Sequence, residues 1–186
     1  MYPRLVLVTG VIGSGKTTVR RFLQEELAFA GVSHDEMIEQ AYGVPYAKFR
    51  LWPDYEEIFP AVRKASYILR NIRLIGGRDL AMEGAYRRQQ DRANALITGF
   101  SDEKYLLVIN VDRGILERRV RDEGKSLELL SEQLSQWERI SPDCSEELGC
   151  EVIIYQNNTP EDMKAIQADL RRRFERKREI FVPATS

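Results

Sequence analysis

The chain has 186 residues, the length of one domain, and folding should bury roughly 70% of the surface that the unfolded chain exposes. Its composition, 43% apolar and 31% charged with a formal net charge of −1, excludes a disordered chain and a globally basic nucleic-acid-binding protein. No apolar run approaches the ~20 residues that cross a bilayer, and the first strand begins too early for a signal peptide. We therefore expect a single cytoplasmic domain over 1–186, with no membrane contact and no obligate protein partner.

The first predicted strand, 4–9, leads into a glycine-rich loop and then into a helix-patterned segment, 19–30. The loop, 10–17, reads G-V-I-G-S-G-K-T, which is the pattern of a phosphate-binding P-loop. Its glycines let the backbone wrap a polyphosphate, and the amide groups at the start of the helix face the anion. We predict that ATP and Mg²⁺ bind here, with Lys16 on the β- and γ-phosphates and the Thr17 hydroxyl on the metal. Nucleotide contacts are predicted at Gly10, Gly13, Ser14, Gly15, Lys16, Thr17 and Thr18.

Short apolar runs alternate with helical patterns along the rest of the chain, which is typical of a parallel sheet flanked by helices. Further strands are predicted at 32–33, 79–82, 104–111 and 151–155. Together with the P-loop, this order predicts an α/β protein with the three-layer P-loop NTPase fold and about five parallel strands.

Several predicted helices carry specific expectations. The helix after the P-loop should end at Gly31, and Ser33 with Glu36 has the spacing of a capping box. Residues 42–53 read as a loop-rich lobe, and Thr159 with Pro160 should begin the last helix. A long helix from 54 to 76 is expected to bury one stripe, formed by Ile58, Val62, Ala65, Leu69 and Ile72.

A P-loop alone does not separate kinases, GTPases, motor ATPases and passive ATP sensors. No Asn-Lys-x-Asp motif follows a strand, which disfavours a GTPase, and the chain is too short for the additional lid domain of ring-forming ATPases. Asp35 follows the second strand, where small P-loop kinases place the carboxylate that activates the acceptor. A non-catalytic ATP-binding module, which would have no use for Asp35, stays as the alternative.

Five segments carry a likeness to a known group. They are G-V-I-G-S-G-K-T-T at 10–18, V-S-H-D-E-M-I-E-Q-A-Y-G at 32–43, G-R-D-L-A-M-E-G-A-Y-R-R-Q-Q-D-R at 77–92, L-E-R-R-V-R-D-E-G at 116–124 and Q-L-S-Q-W-E-R-I-S-P-D-C-S-E-E-L-G-C-E-V-I-I at 133–154. The chain thereby resembles the small P-loop phosphotransferases that include polynucleotide 5′-hydroxyl kinases, gluconate-type kinases and zeta-toxin-like kinases. The resemblance spans nearly the whole chain and implies a helical acceptor lobe at about 36–75 and an arginine lid at about 118–127.

The resemblance also implies roles for three side chains near the acceptor. Asp35 matches the general base that takes the proton of the acceptor hydroxyl, although an aspartate in a first helical turn also stabilises the helix without any catalytic duty. Glu83, at the end of the third strand, is expected to bind either the Mg²⁺ water shell or the substrate, and a solvated acid is its simpler interpretation. Arg92 matches an arginine that contacts the acceptor.

The lid is expected to supply charge for the transferred phosphoryl group, through Arg118, Arg119 or Arg121. The usual lid has a second arginine four residues after the first, and here Asp122 and Glu123 occupy its place, so either Arg121 or Lys125 compensates or the lid is weaker. Asn157, in the loop after the last strand, is expected at the edge of the adenine, mainly through the backbone.

The acceptor is the least determined feature of the sequence. The lobe interleaves aromatic residues with cations, as proteins that bind single-stranded nucleic acid do, although packing explains such aromatics equally well. We expect a hydroxyl on DNA, RNA or a nucleotide-like compound, such as a 5′-hydroxyl end or a hydroxymethylated base. The alternative is a sugar acid, antibiotic or nucleoside. The residues concerned are Tyr42, Tyr46, Phe49, Trp52 and Tyr55, with Lys48, Arg50, Arg63, Arg70 and Arg73; a basic run, 171–178, is either a phosphate-backbone track or an exposed helix face.

Overall fold

Five parallel strands form the centre of the structure, a computed structural model that describes residues 3–175. Their order across the sheet is β2-β3-β1-β4-β5, and every neighbouring pair is parallel. The predicted α/β fold is therefore confirmed, and the strand ends lie within two residues of those expected. The strands are β1 (Arg4–Thr9), β2 (Ala30–Ser33), β3 (Leu80–Gly84), β4 (Glu103–Asn110) and β5 (Glu151–Gln156).

The helices lie on both faces of this sheet, and none of them within residues 3–175 is long and apolar enough to span a bilayer. A short 3₁₀ turn, Pro142–Cys144, precedes α8. The helices are α1 (Lys16–Leu27), α2 (His34–Tyr42), α3 (Tyr46–Phe49), α4 (Tyr55–Ile75), α5 (Gln89–Ile97), α6 (Arg113–Asp122), α7 (Leu127–Ser135), α8 (Ser145–Leu148) and α9 (Pro160–Phe174).

Two buried clusters hold the three layers together, because successive side chains of a strand point to opposite faces of the sheet. Val6 and Val8 of β1 pack in the cluster that contains α1 and α9, whereas Leu5 and Leu7 pack in the cluster that contains residues of α4, α5 and α8. β1 is buried along its whole length, as expected for the central strand of a parallel sheet that is covered on both faces.

The register places the carboxyl ends of three strands side by side. Val8 of β1 pairs with Glu83 of β3, and Ser33 of β2 pairs with the same Glu83. The P-loop follows β1 and α2 follows β2, so the segments with the predicted chemistry leave the sheet at one edge. Ligands of open α/β sheets bind at this edge.

The acceptor lobe, 36–75, has a small core of its own, formed by Ile38, Phe49 and Val62. The stripe predicted for α4 is wrong at two of its five positions: Ala65 and Ile72 are exposed, whereas Val62 is buried and Ile58 and Leu69 are partly buried. The buried face of the helix is formed by Val62, Ser66, Arg70 and Leu74. The polar members of the buried face have partners. The Arg70 guanidinium donates to the carbonyl oxygens of Ala95 and Thr98 at 2.5 and 2.8 Å.

Two predicted helix ends are also wrong, and one is confirmed. α1 ends at Leu27 rather than at Gly31, because Ala28 takes a left-handed conformation with φ 59° and the chain enters β2 directly. Ser33 does precede α2, but its side chain makes no capping hydrogen bond, and Glu36 instead pairs with Arg20. α9 begins with the full capping box of Thr159 and Asp162, as the sequence predicts for its start.

Candidate active site

A cleft of about 1080 Å³ lies at the carboxyl edge of the sheet. Its walls come from the P-loop, the start of α2, the lobe, the loop after β3, and the segment from α6 to α7. The cleft therefore brings together the P-loop, Asp35 and Glu83, which are far apart in the sequence.

The P-loop takes a conformation that depends on its glycines. Gly13 and Gly15 have φ values of 77° and 97°, in the left-handed region that side chains rarely adopt. A Cβ atom on Gly15 would lie 2.6 Å from Nδ2 of Asn157. That Nδ2 donates to the Ser14 carbonyl oxygen at 2.8 Å, and Asn157 is buried. Asn157 therefore supports the P-loop with its side chain, which differs from the backbone contact to adenine that the sequence predicts.

The remaining P-loop residues divide into backbone and side-chain positions. Ser14 is fully buried, so its hydroxyl is turned away from the cleft, whereas Gly13, Gly15 and Thr18 line it. The Lys16 ammonium donates to the Val11 carbonyl oxygen at 2.9 Å. Burial lowers the pKa of Lys16, and the carboxylates of Glu83 and Asp35 oppose that shift. The two carboxylates therefore favour the ammonium form of Lys16 within the P-loop.

Glu83 is buried at the end of β3, and both of its oxygens accept hydrogen bonds. Oε1 accepts from the Thr17 hydroxyl at 2.5 Å and Oε2 accepts from Nε of Arg20 at 2.7 Å. Arg20, one helical turn after Lys16, was not predicted from the sequence, since only the fold brings it against Glu83. Thr17 is thereby fixed beside a carboxylate.

These residues fit a magnesium ion that takes few protein ligands. Mg²⁺ prefers oxygen ligands and commonly keeps several waters and phosphate oxygens, with only one or two protein groups. Thr17 and Glu83 supply such oxygens. Among residues 3–175, no cluster of three or more His, Cys, Asp or Glu side chains is arranged to hold a metal without a substrate.

Asp35 is the second residue of α2 and faces the cleft. Although part of its surface is open to the cleft, surrounding protein raises the pKa of its carboxyl group by removing water from it, and the nearby Lys16 ammonium opposes that shift. A raised pKa makes a carboxylate a better proton acceptor near neutral pH. The environment of Asp35 is thus compatible with the predicted general base.

His34, beside Asp35, is buried and lies among lobe residues. Its Nε2 shares a hydrogen bond of 2.8 Å with the Ser66 hydroxyl, and its ring contacts Phe59 and Tyr86. Burial, with a smaller contribution from the Arg63 guanidinium, lowers the pKa of His34 to about 4. His34 is therefore a neutral packing residue at neutral pH.

Of the three predicted lid arginines, the structure places one at the P-loop. Arg119 lines the cleft and donates to the carbonyl oxygens of Gly13 and Asn158 at 3.4 and 3.2 Å. Arg118 and Arg121 are exposed and do not line the cleft, because they project from other faces of α6. Lys125, which pairs with Glu123, does line it. The lid cations at the cleft are thus Arg119 and Lys125.

The prediction that Arg92 contacts the acceptor disagrees with its position. Arg92 is 1% exposed and does not line the cleft. Its guanidinium donates to the carbonyl oxygens of Tyr86 and Arg87 at 2.8 and 3.0 Å. Tyr86 has φ 38°, a strained value for a residue other than glycine. Arg92 therefore holds the strained loop after β3, which itself lines the cleft.

The lobe side of the cleft combines aromatic rings with arginines that already have partners. The Tyr46 and Tyr55 hydroxyl groups are 2.9 Å apart, and the Phe59 ring packs against both residues. Each of three arginines binds a carboxylate: Arg63 donates to Asp91 at 2.6 Å, and both Arg50 and Arg87 donate to Glu132, at 2.5 and 3.0 Å.

Most of the other aromatic and basic residues predicted to bind an acceptor lie elsewhere. Tyr42, Phe49 and Trp52 pack against one another. Arg70 lies on the buried face of α4, and neither Lys48 nor Arg73 lines the cleft. The basic residues at 171–173 are exposed and paired with acids, which supports the exposed helix face, and 176–178 lie outside the described residues.

Comparisons with solved structures identify proteins that have a similar fold. A scan against protein-family models finds no match, and a search of curated proteins finds none. Similar solved structures include a sugar kinase from Janibacter sp. HTCC2649, at 20% identity and TM-score 0.63, with 90% of this chain and 92% of that chain covered. A shikimate kinase from Acinetobacter baumannii in complex with shikimate aligns at 20% identity and TM-score 0.63, covering 96% and 97%. A chain of the Pnkp1/Rnl/Hen1 RNA repair complex aligns at 12% identity and TM-score 0.59, covering 92% and 76%. The chain thus has the fold of P-loop kinases.

Proposed function

We propose that this protein is an ATP- and Mg²⁺-dependent kinase of the cytoplasm that transfers the γ-phosphoryl group to a hydroxyl. The observation that carries the proposal is the convergence of Lys16, the Thr17–Glu83 pair and Asp35 on one cleft. A passive ATP-binding module would need the first two features, but it would not need a carboxylate with a raised pKa beside them.

The residues divide the reaction between them. Lys16, with Arg119 and Lys125 from the lid, stabilises charge on the phosphates, and this is the main catalytic contribution in phosphoryl transfer. Asp35 accepts the proton of the acceptor hydroxyl. At the same time the oxygen of that hydroxyl bonds to the γ-phosphorus, and the bond between this phosphorus and the bridging oxygen of ADP breaks. Thr17 and Glu83 would hold Mg²⁺, which neutralises phosphate charge when bound.

For the acceptor, we propose a small hydroxyl compound. Beyond the P-loop and the lid, and apart from Glu83 beside Thr17, the cleft is lined by four arginines and five carboxylates, so its lobe side has no excess of positive charge for a polyanion. The Arg50–Glu132 bridge also joins the lobe to α7 across the cleft. The lining residues counted are Arg50, Arg63, Arg87 and Arg88, with Asp35, Glu39, Glu56, Asp91 and Glu132.

The nucleic-acid acceptor favoured by the sequence is the second candidate. It is supported by the aromatic wall of Tyr46, Tyr55 and Phe59, since such rings stack on bases. A salt titration of oligonucleotide binding separates the two candidates. A protein that clamps several phosphates loses affinity steeply as salt rises, whereas no binding at low salt favours the small acceptor.

The proposed activity is tested by incubating the protein with γ-labelled ATP and a panel of sugars, hydroxy acids, nucleosides and 5′-hydroxyl oligonucleotides. We expect a labelled phosphoester with at least one class of acceptor, and we expect Lys16→Ala to slow its formation at least ~100-fold, because a P-loop lysine carries phosphate charge that no neighbour replaces. A Lys16→Ala variant that turns over at the wild-type rate would exclude the P-loop chemistry.

A further inference from the structure

Gln133 on α7 lies against the P-loop, and the sequence analysis gives it no role, although it is the first residue of the segment 133–154. It is 8% exposed, and its Oε1 accepts a hydrogen bond from the Ile12 backbone N–H at 2.7 Å. The Lys16 ammonium donates to the Val11 carbonyl oxygen at 2.9 Å. The Val11 carbonyl and the Ile12 N–H belong to the same peptide unit, and Gln133 and Lys16 therefore hold one peptide from its two ends.

The other end of the Gln133 amide has no partner. Since Ile12 donates an N–H, the atom bound to it must be the oxygen, which leaves the NH₂ group as a free donor. Nε2 has no hydrogen-bond partner among residues 3–175, and it is not sealed in the core. Gln133 lines the same cleft as Ile12, Gly13 and Lys16. A largely buried side chain thus presents two unused N–H donors beside the loop that is shaped for phosphates.

We propose that Gln133 binds the terminal phosphoryl group of ATP through Nε2 while Oε1 holds the Val11–Ile12 peptide. This inference rests on the proposed function and adds a neutral donor to the charged groups of the site. A donor whose oxygen is already fixed needs no reorganisation when negative charge develops on the transferred group, and preorganised donors are effective for that reason. It also gives α7, which directly follows the lid, a direct contact with the reacting phosphate.

The test compares an ATP analogue that is not hydrolysed with ADP, because only the former has a terminal phosphoryl group, and neither measurement needs an acceptor. Gln133→Met keeps the shape of the side chain and removes donor and acceptor. Gln133→Glu keeps an oxygen for the Ile12 N–H but removes the donor and adds negative charge. Gln90→Met is the matched control, since Gln90 is exposed and bonds only Asn94 of its own helix. Melting temperatures show whether each variant is folded.

We expect Gln133→Met to weaken the analogue about 10-fold, the scale of a lost hydrogen bond to a charged group, while the ADP affinity changes less than ~2-fold. Gln133→Glu should weaken the analogue at least as much, and Gln90→Met should leave both affinities unchanged. An equal loss for ADP and the analogue in Gln133→Met, or wild-type analogue affinity in Gln133→Glu, would overturn the role of Gln133. A wild-type protein that binds neither nucleotide would instead overturn the proposed function.

Discussion

At the scale of single residues, the raised pKa of Asp35, the general base that we propose, has a consequence for the stability of the fold. Partial removal of water by the surrounding protein raises the pKa of Asp35, although the residue is exposed at the cleft, so the folded state holds the proton more tightly than the unfolded state does. Stability from this group is therefore present below its ordinary pKa and is lost as the pH rises through the raised pKa in the folded protein. At neutral pH the ionised carboxylate therefore makes a contribution against folding, which solvent screens because the residue is exposed.

Asp35→Asn should consequently separate activity from stability. We expect phosphoryl transfer to fall at least ~100-fold, because the variant has no proton acceptor, while the midpoint of urea unfolding at pH 7.5 rises. Asn cannot ionise, so the gain should shrink when the same unfolding curves are measured near pH 4. A variant that is less stable at pH 7.5 would show that the carboxylate has a structural role.

His34 makes the opposite contribution to the pH dependence of stability. Burial lowers its pKa to about 4, so between its ordinary value near 6.5 and 4 the unfolded state binds the proton more tightly. The stability due to neutral His34 is complete above pH 6.5 and is lost as the pH falls through that range, by about 3 kcal/mol at most.

We predict that His34→Gln, which can still bond Ser66 but does not titrate, flattens this loss. The measurement is the free energy of unfolding in urea at pH 7.5, 5.5 and 4.5 for both proteins. The remaining titratable groups are the same in the wild type and in His34→Gln. The difference between the pH dependences of their unfolding free energies therefore isolates the contribution of His34. Identical slopes in the two proteins would mean that His34 stays accessible to protons in the folded state.

The sequence predicted those site residues that belong to a motif and missed those that the fold alone assembles. Lys16 and Thr17 were predicted from the P-loop pattern, Asp35 and Glu83 from their positions at strand ends and from the family resemblance, and all four lie at the cleft. Glu132 occupies an ordinary helix position with no local signal, because its arginine partners are 45 and 82 residues away along the chain. Arg92 matched a motif, yet its burial could not be read from the sequence.

At the scale of elements, α7 connects the lobe, the loop after β3 and the P-loop. Glu132 binds Arg50 of the lobe and Arg87 of the loop after β3, while its neighbour Gln133 binds the P-loop at Ile12. Because the two residues are adjacent in one helix, the lobe and the P-loop are held at a fixed distance. The charges of both arginines are also partly neutralised by one carboxylate.

Glu132→Gln should loosen the acceptor side without affecting the nucleotide side. We expect the KM for the acceptor to rise about 5-fold or more, since an amide holds two guanidinium groups less strongly than a carboxylate, whereas the KM for ATP stays within ~2-fold. Glu128→Gln, the same change on an exposed position of α7, is the control. The two KM values are measured by steady-state kinetics with each substrate varied in turn. An equal rise in both would contradict the prediction that Glu132 affects only the acceptor side.

The helix α4 shows where periodicity alone is insufficient. Its isoleucines suggested one apolar stripe, but the buried face runs through Ser66 and Arg70 to Leu74. These polar groups are tolerated inside because His34 and the carbonyl groups of Ala95 and Thr98 satisfy them. Partners from distant segments are not visible in the local pattern, and the prediction therefore favoured the exposed Ile72.

The corrected face of α4 predicts unequal effects on stability. Leu74→Ala should lower the free energy of unfolding by about 2–5 kcal/mol, because Leu74 is buried and its removal leaves a cavity. Ile72→Ser, at a position 60% exposed, should change it by less than ~1 kcal/mol. Urea unfolding of both variants provides the comparison, and a larger loss for Ile72→Ser would restore the original stripe.

At the scale of the whole molecule, the alternation of strands and helices was sufficient to predict the parallel sheet. It did not reveal the strand order β2-β3-β1-β4-β5, because that order depends on long-range pairing. This strand order determines which segments lie beside the P-loop. It places β1 between β3 and β4, so the P-loop stands beside Glu83 on one side and the lid segment after β4 on the other.

The two sides of the cleft also differ in charge at this scale. Lys16 of the P-loop and Arg119 and Lys125 of the segment after β4 line one side of the cleft, whereas the arginines of the lobe side are largely balanced by acids. The P-loop and lid side thus carries three cations against one lid acid, Glu123, which is paired with Lys125. This distribution is the molecular basis for proposing a small acceptor.

The most direct test of the proposed kinase activity is single-turnover transfer from γ-labelled ATP to an acceptor found in the panel, measured for the wild-type protein and for Asp35→Asn. We predict a labelled phosphoester with the wild type, and in the variant an ATP affinity within ~3-fold but transfer slowed at least ~100-fold. Transfer at the wild-type rate in Asp35→Asn would contradict the role of Asp35 as general base. ATP binding without phosphoester formation on any alcohol would contradict the proposed kinase activity.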